Sequence, residues 1–299
     1  MAITLSFANQ KGGVGKTLTT SSVARILTLK GYKVLCVDMD PQRNLSMSAG
    51  EDVAIDPRDT KTLSVLDVLE GRCNAQEAII ETPLGDMLRA STFLTKWNSS
   101  LAITPEEYKA VRDDLKQLQE FCDQRILNQA QKQATLYRGL RSVQGNYDFI
   151  LIDSNPSLTL VTLNCLYASD GVVIPALCEV TSIVAVMELI NTVKSLVRYN
   201  YNRNIKILGI LRTRVERRLT SFKRYTDLYS EFAGEMKTKL FDTYIRKNAR
   251  AADCIDGFSN LIDWDRNGTA TQDYFSFTEE LLDELSEQFG IRRMQNAKE

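Results

Sequence analysis

Lys11-Gly12-Gly13-Val14-Gly15-Lys16-Thr17 follows directly on the apolar run Ile3-Thr4-Leu5-Ser6-Phe7-Ala8. A glycine-rich loop between a strand and a helix start is a cradle for nucleotide phosphates. Gly12, Gly13 and Gly15 let the backbone turn tightly with its N–H groups pointing inward, where the positive end of the following helix also favours an anion. Lys16 is placed to reach β- and γ-phosphates, and Thr17 to ligate magnesium. Gln10 stands where the strict pattern has glycine, and Lys11 adds a lysine that the ordinary pattern does not require.

Carboxylates recur where ligands gather in α/β proteins. Val34-Leu35-Cys36-Val37-Asp38-Met39-Asp40-Pro41-Gln42 reads as an apolar strand running into two acids and a proline, at the carboxyl edge of a sheet. Phe149-Ile150-Leu151-Ile152-Asp153 ends the same way. A charge ending a buried strand is costly without a partner. Aspartate before proline also initiates turns, so Asp40 has a structural reading beside the chemical one. The chain has no histidine, which leaves carboxylates, lysines, backbone and metal to do any chemistry. Phosphoryl transfer to water needs little more than charge neutralisation and a placed nucleophile.

The elements that must hold these groups alternate in type. Strands are expected at 3–8, 33–38, 149–153, 171–175, 205–211 and 240–245, with helices at 16–30, 157–168, 181–198, 220–239 and 276–288. Short helices at 64–69 and 75–80, a brief strand at 101–103 and a helix opened by Thr104-Pro105-Glu106-Glu107 fill the middle. Tyr108, Val111, Leu115, Leu118 and Cys122 form one stripe of that helix, read as core packing. Such alternation specifies a doubly wound α/β fold with a mostly parallel sheet flanked by helices. At 299 residues, 43% apolar and 25% charged, a single domain over 1–299 is expected, with a variable helical segment at about 55–145.

Composition excludes other classes. Six cysteines without a Cys-x-x-Cys pair argue against a structural zinc site or an iron–sulfur scaffold. No apolar run approaches the roughly 20 residues of a membrane span, and the chain enters a strand at once, so a cytoplasmic protein is expected.

These motifs, in this order, resemble the ParA/MinD group of deviant Walker ATPases, and within it the ParA (Soj-like) partition ATPases. The resemblance is carried by Lys11 to Thr17, by Asp38-Met39-Asp40-Pro41-Gln42, and by Asp153-Ser154-Asn155-Pro156-Ser157-Leu158. Val173 to Glu179, Ile207 to Leu211 and Ile245-Arg246-Lys247-Asn248-Ala249-Arg250 support it, while residues 50–140 match least. It implies a P-loop ATPase that uses ATP and Mg2+, with Lys11, Gly12, Gly13, Val14, Gly15, Lys16, Thr17 and Leu18 around the phosphates. Arg246 and Lys247 fall near the adenine. Thr17 and Asp153 belong with the metal; Asp38 supports the metal shell or the loop. Asp40 heads switch I and positions or activates the attacking water, and Ser154 to Leu158 form switch II. Lys11 is implied to reach the phosphates of a second subunit, so that ATP binding makes a homodimer and Lys11, Lys16 and Asp40 serve catalysis together.

Leu18 and Asn155 depart from the family pattern, which has threonine and proline there, and Lys247 interrupts its common Pro-Arg-Asn.

The chain carries 37 basic and 38 acidic residues, yet Arg212, Arg214, Arg217, Arg218, Lys223 and Arg224 crowd one segment against Glu216 alone. Arg246, Lys247 and Arg250 form a second cluster. Clusters of this kind can neutralise DNA phosphates without reading bases, although a charge run can equally be a solvated face. The resemblance implies non-specific double-stranded DNA binding in the ATP state, with Lys194 and Arg218 at family positions. Lys194, Arg214, Arg217, Arg218, Lys223, Arg224 and Arg250 are the candidate contacts, and nucleoid association follows. It also implies a ParB-like centromere-binding partner that stimulates slow hydrolysis. With a P-loop beginning at residue 11, an amino-terminal helix-turn-helix is not expected. The alternative is a MinD-like membrane-associated or protein-cluster-positioning ATPase; the acidic stretch Glu279 to Leu285 reads as a packing helix, so no stable membrane association is expected.

Overall fold

The computed structural model describes residues 1–50, 62–99, 134–216 and 220–291. The strand expected at 101–103, the helix opened by Thr104, and Arg217 and Arg218 lie outside the described residues. An eight-stranded sheet forms the centre, in the order β3-β4-β2-β5-β1-β6-β7-β8. Its strands are β1 (Ile3–Phe7), β2 (Val34–Met39), β3 (Ile79–Thr82), β4 (Gly85–Leu88), β5 (Phe149–Ser154), β6 (Gly171–Leu177), β7 (Lys206–Val215) and β8 (Leu240–Arg246). All neighbours pair in parallel except the β3–β4 hairpin. β1, β2 and β5 are buried at every position, because helices cover both faces, and this is why they read as continuous apolar runs rather than alternating ones.

Helices α1 (Lys16–Leu29) and α12 (Thr269–Phe289) cover one face, burying Val23, Ile26, Leu27, Tyr274, Phe277, Leu281 and Leu285 against Leu5, Phe7 and Cys36. The other face carries α3 (Val65–Leu69), α5 (Leu94–Ser99), α6 (Thr135–Leu140) and α7 (Leu160–Ala168) over β2 and β5. Helices α8 (Val180–Arg198) and α9 (Thr220–Met236) lie over β6 and β7 on that same side of the sheet order. The short helices α2 (Asn44–Ser48), α4 (Ala75–Ala78), α10 (Arg250–Asp256) and α11 (Leu261–Trp264) occupy connections.

Four local readings change. The helix expected to reach residue 80 ends at Ala78, after the reciprocal Asn74–Glu77 capping bonds. β-branched Ile79 and Ile80 instead enter a hairpin, pairing with Leu88 and Met87. The hairpin turn is closed by Thr82, whose hydroxyl donates to the Gly85 carbonyl at 2.6 Å and accepts from the Leu84 N–H at 3.2 Å. Helix α12 begins at Thr269 rather than 276, and β7 runs on to Val215 rather than 211. Finally, α8 is 19 residues long with a window of mean hydropathy 1.5, so one helix does meet the length and composition of a membrane span. One stripe, Ala185, Val186, Leu189, Ile190, Val193 and Leu196, is buried on the sheet, while Val180, Val184, Met187 and Val197 stay exposed.

Gly85 shows how tightly the hairpin is seated. Its φ is +104°, and a Cβ there would stand 2.6 Å from the Val34 carbonyl oxygen. Gly85→Ala is therefore expected to lower stability by about 2 kcal/mol or more; urea unfolding of both proteins measures it.

Candidate functional site

The loop after β1 sits where the chain order of the sheet reverses, with β5 on one side of β1 and β6 on the other. Parallel strands leave a crevice outside their carboxyl ends at such a point. Asn9 pins the loop's entry: its Nδ2 donates to the Pro175 carbonyl at 2.7 Å, and its Oδ1 accepts from the Lys11 N–H at 2.9 Å. Gly13 and Gly15 adopt φ +73° and +86°, which side chains resist. Thr213 pins the loop's centre, donating its hydroxyl to the carbonyls of Val14 at 2.7 Å and Ala176 at 3.2 Å. Gly15 caps α1 with no side-chain hydrogen bond, and the first turn holds no acid. The amides at that helix start remain available to an anion.

A cavity of about 580 Å³ opens above the loop. Gly12, Gly13, Gly15, Lys16, Thr17 and Leu18 line it, with Asp40 at one end and Arg246 and Lys247 at the other. Val14, within the loop, is fully buried and does not line the cavity. Lys11 is elsewhere. Its ammonium contacts Glu179 and Thr181 at the start of α8, and only its carbonyl faces inward, accepting from Lys16 Nζ at 3.1 Å. Arg246 is clamped by Asp273 through Nε and Nη2, and Lys247 pairs with Glu216 at 2.6 Å.

Beneath the loop, Thr17 Oγ1 donates to Asp153 Oδ2 at 2.6 Å. The other oxygen, Asp153 Oδ1, is buried with no hydrogen-bond partner. An orphaned carboxylate oxygen beside a hydroxyl fits a magnesium ion that takes one or two protein oxygens and completes its shell with phosphates and water. Among the described residues no group of three or more His, Cys, Asp or Glu side chains forms a metal cage, which agrees with that mode. Asp38, expected to support the metal shell or the loop, spends both oxygens on the segment that follows β2. It accepts from the Asp40 N–H at 3.1 Å and from the Ser46 N–H and hydroxyl at 2.9 and 2.7 Å. Asp40 in turn accepts from the Gln42 N–H at 2.9 Å, which folds the segment after β2 around it.

Burial raises the Asp38 carboxyl to about 6, against the opposing bonds from Ser46. Burial, reinforced by the Asp38 charge, holds Asp153 well above the usual carboxylate range although Thr17 and Lys16 oppose the shift. Lys16 is pushed below its usual value by desolvation, with Asp153 and Asp40 pulling it back up.

The basic clusters separate in space. Arg212 is buried and donates to the Phe241 and Asp242 carbonyls at 2.7 and 3.0 Å, so it is a strut between β7 and β8. Arg214 lines the nucleotide-sized cavity, donating to the Gly13 carbonyl at 3.3 Å, away from the other candidate DNA contacts. Lys223 and Arg224 are exposed on the first turns of α9. Lys194 projects from α8 towards Met236 at the far end of α9, and Arg250 pairs with Asp265 at 3.1 Å. Asn9 and Thr213 were not singled out from the sequence. Asn9 carries a signal in hindsight, an Asx residue at the strand end before the loop; Thr213 carries none, because its partner Val14 is 199 residues away.

Residues 5–256 match the model of the CobQ/CobB/MinD/ParA nucleotide binding domain. The chain belongs to that family. It is 29% identical over 281 residues to the sporulation initiation inhibitor protein Soj of Bacillus subtilis, covering 93% of this chain and 97% of Soj. It is also 29% identical to the chromosome partitioning protein ParA of Myxococcus xanthus, covering 93% of this chain and 87% of that protein. Among solved structures, cobyrinic acid a,c-diamide synthase of Mycobacterium smegmatis with bound ATP analogue and magnesium superposes with TM-score 0.72 at 26% identity. The match covers 100% of both chains.

The two raised carboxyls fix a pH dependence. A carboxyl whose folded pKa exceeds its unfolded one stabilises the fold below the unfolded value and loses that contribution as pH rises through the folded value. Ligand-free protein should thus lose stability as pH climbs from about 4 to about 6, the span between the ordinary and the folded value for Asp38. Each group can contribute at most about 1.4 kcal/mol per pH unit. Urea midpoints across this range should fall less steeply for Asp153→Asn than for the wild type.

Proposed function

We propose that the protein is a ParA-type partition ATPase: it binds ATP with Mg2+, dimerises on it, holds DNA without reading sequence, and lets go on hydrolysis. The observation that carries the reading is the division of labour between two lysines on one loop. Lys16 is buried in the cavity, whereas Lys11 points out of it to the start of α8. A lysine turned out of its own cleft is free to serve phosphates bound by a second protomer once it leaves Glu179. Leu158, Val180, Val184 and Met187 expose apolar surface on the same side, at 48%, 58%, 50% and 39%. The last three are spaced as one helical stripe, consistent with a face that a second copy covers.

Within the cleft, the loop amides, Lys16 and the start of α1 neutralise and orient the phosphates. Thr17 and Asp153 would hold magnesium, which would supply charge neutralisation to the phosphates. Asp40, tied to Gln42, orients the attacking water and accepts its proton. Removal of the γ-phosphate then removes the contact that favours the dimer. Lys194, Lys223 and Arg224 form the exposed basic set on α8 and α9 that suits a DNA backbone, and a ParB-like partner accelerates discharge.

Three variants separate the steps. Asp40→Ala should keep ATP affinity and lower turnover by roughly 100-fold or more, prolonging the dimer on DNA. Lys11→Ala should bind ATP as a monomer within a few-fold of wild-type affinity and fail to retain DNA. Lys223→Glu with Arg224→Glu should dimerise normally while losing DNA. Solution mass, ATPase rate and retention on unrelated duplex DNA, each with ATP and magnesium, measure these outcomes. A wild-type protein that stays monomeric with a non-hydrolysable analogue refutes the reading, and ATP-dependent sedimentation with liposomes in place of DNA retention supports the membrane alternative.

A further inference from the structure

Two aromatic rings stand in the open beside α1, and the backbone beneath them is shaped to keep them there. Phe258 and Trp264 are 40% and 45% exposed, on the connection from β8 to α12 that includes α10 and α11. After α10 the Ser259 N–H donates to the Cys254 carbonyl at 2.9 Å, the bond that closes a helix with a left-handed residue just before the donor. That residue is Phe258, with φ +53°. Glycine is the default at such a helix end, so a half-exposed phenyl ring there carries a conformational cost that its own packing does not offset.

Gly257 makes room for the second ring. A Cβ on it would stand 2.7 Å from Cζ3 and 2.8 Å from Cη2 of Trp264, and 3.3 Å from the Asp253 carbonyl oxygen, so the indole lies against the last turn of α10. The support is firm. Asn260 caps α11, its Oδ1 accepting from the Asp263 N–H at 3.0 Å; Leu261 and Ile262 are buried, and Asp263 pairs with Arg25 of α1 at 2.9 Å. Large rings presented at fixed positions are the anchors from which protein interfaces draw most of their affinity.

The neighbouring charges say what such an interface would receive. Over residues 250–268, Arg250 is paired with Asp265 and Asp263 with Arg25. Asp253 and Asp256, three positions apart on α10, are exposed and make no ion pair among the described residues, which leaves two acids against exposed Arg266. Ring faces attract a cation through their quadrupole, and an adjoining carboxylate meets its charge. A polyanion such as a nucleic acid or an acidic lipid surface would be repelled.

We infer that Phe258, Trp264, Asp253 and Asp256 form a docking site for a cationic, partly apolar segment of another protein, whose Arg or Lys lies over the rings while the two carboxylates take its charge. The site is separate from the nucleotide cleft. Its left-handed phenylalanine is then retained for binding and not for the fold.

The test uses the full chain and a fluorescein-labelled peptide of alternating Arg and Leu, read by anisotropy, with a Glu and Leu peptide of equal length as control. Wild type should bind the first at least about tenfold more tightly than the second. Phe258→Gly suits the left-handed backbone, so its melting temperature should equal or exceed the wild type's while its affinity for the Arg peptide falls about tenfold. Trp264→Ala should lose about as much, and Asp253→Asn with Asp256→Asn should weaken binding about tenfold and flatten its salt dependence. No binding by the wild type, equal binding of the two peptides, or affinities unaltered in all three variants would each overturn the inference. A lower melting temperature for Phe258→Gly would make that ring structural and overturn it too, and self-association of the wild type abolished by the same variants would assign the patch to a second copy of this chain instead.

Discussion

Buried charge without a full set of partners is the constraint from which the rest of this structure follows. Lys16, Asp38, Asp40 and Asp153 are all buried at the carboxyl edge of one sheet, three acids to one base. Such a cluster is expensive in a low-dielectric site. The protein meets part of the cost internally, by wrapping the segment after β2 around Asp38 and by setting Thr17 on Asp153. It leaves Asp153 Oδ1 and the amides at the start of α1 unmet. A cation and a polyanion arriving together would satisfy both deficits. The fold is thus less self-sufficient at its centre than a stable core requires, and that deficit is the driving force for ligand binding.

The sheet order converts this local deficit into a directional cleft. β2 and β5 carry the acids, β1 the loop, and β7 and β8 the far wall. Anything bound across these carboxyl ends must run from an acidic end to one where Ile245, Ala249, Ala270 and Tyr274 stand beside the acid-paired Arg246 and Lys247. Side-chain hydroxyls and amides that bridge neighbouring strands hold the loop to the sheet, Asn9 to β6 and Thr213 to both the loop and β6. The loop's path is therefore set by the sheet and is not left to the glycines alone.

Cations divide into those with work inside the molecule and those without. Arg212 is a strut, and Arg246, Lys247 and Arg250 are paired with acids. Lys223 and Arg224 remain exposed. A basic run in the sequence is thus several different things in space, and only its unpaired part can contribute much to a salt-dependent surface interaction.

Much of the architecture was legible in the chain. Apolar runs such as Phe149 to Ile152 gave the strands, because parallel strands are buried on both faces and carry no alternation to confuse the reading. Lys16, Thr17, Asp40 and Asp153 were legible as site candidates because glycine spacing and strand-end acids express local backbone demands. The β3–β4 hairpin was not, since Ile79 and Ile80 suit a helix end or a strand until Leu88 and Met87 are present to pair with them. The partner of Lys11, the burial of Arg212 and the placing of Arg214 over Gly13 were equally hidden. Each depends on residues 168, 29 and 201 positions away in the chain. Local spacing determined which groups could do chemistry; only the packed sheet decided which of them face one another, because contact between distant segments is a property of strand order and not of sequence neighbourhood.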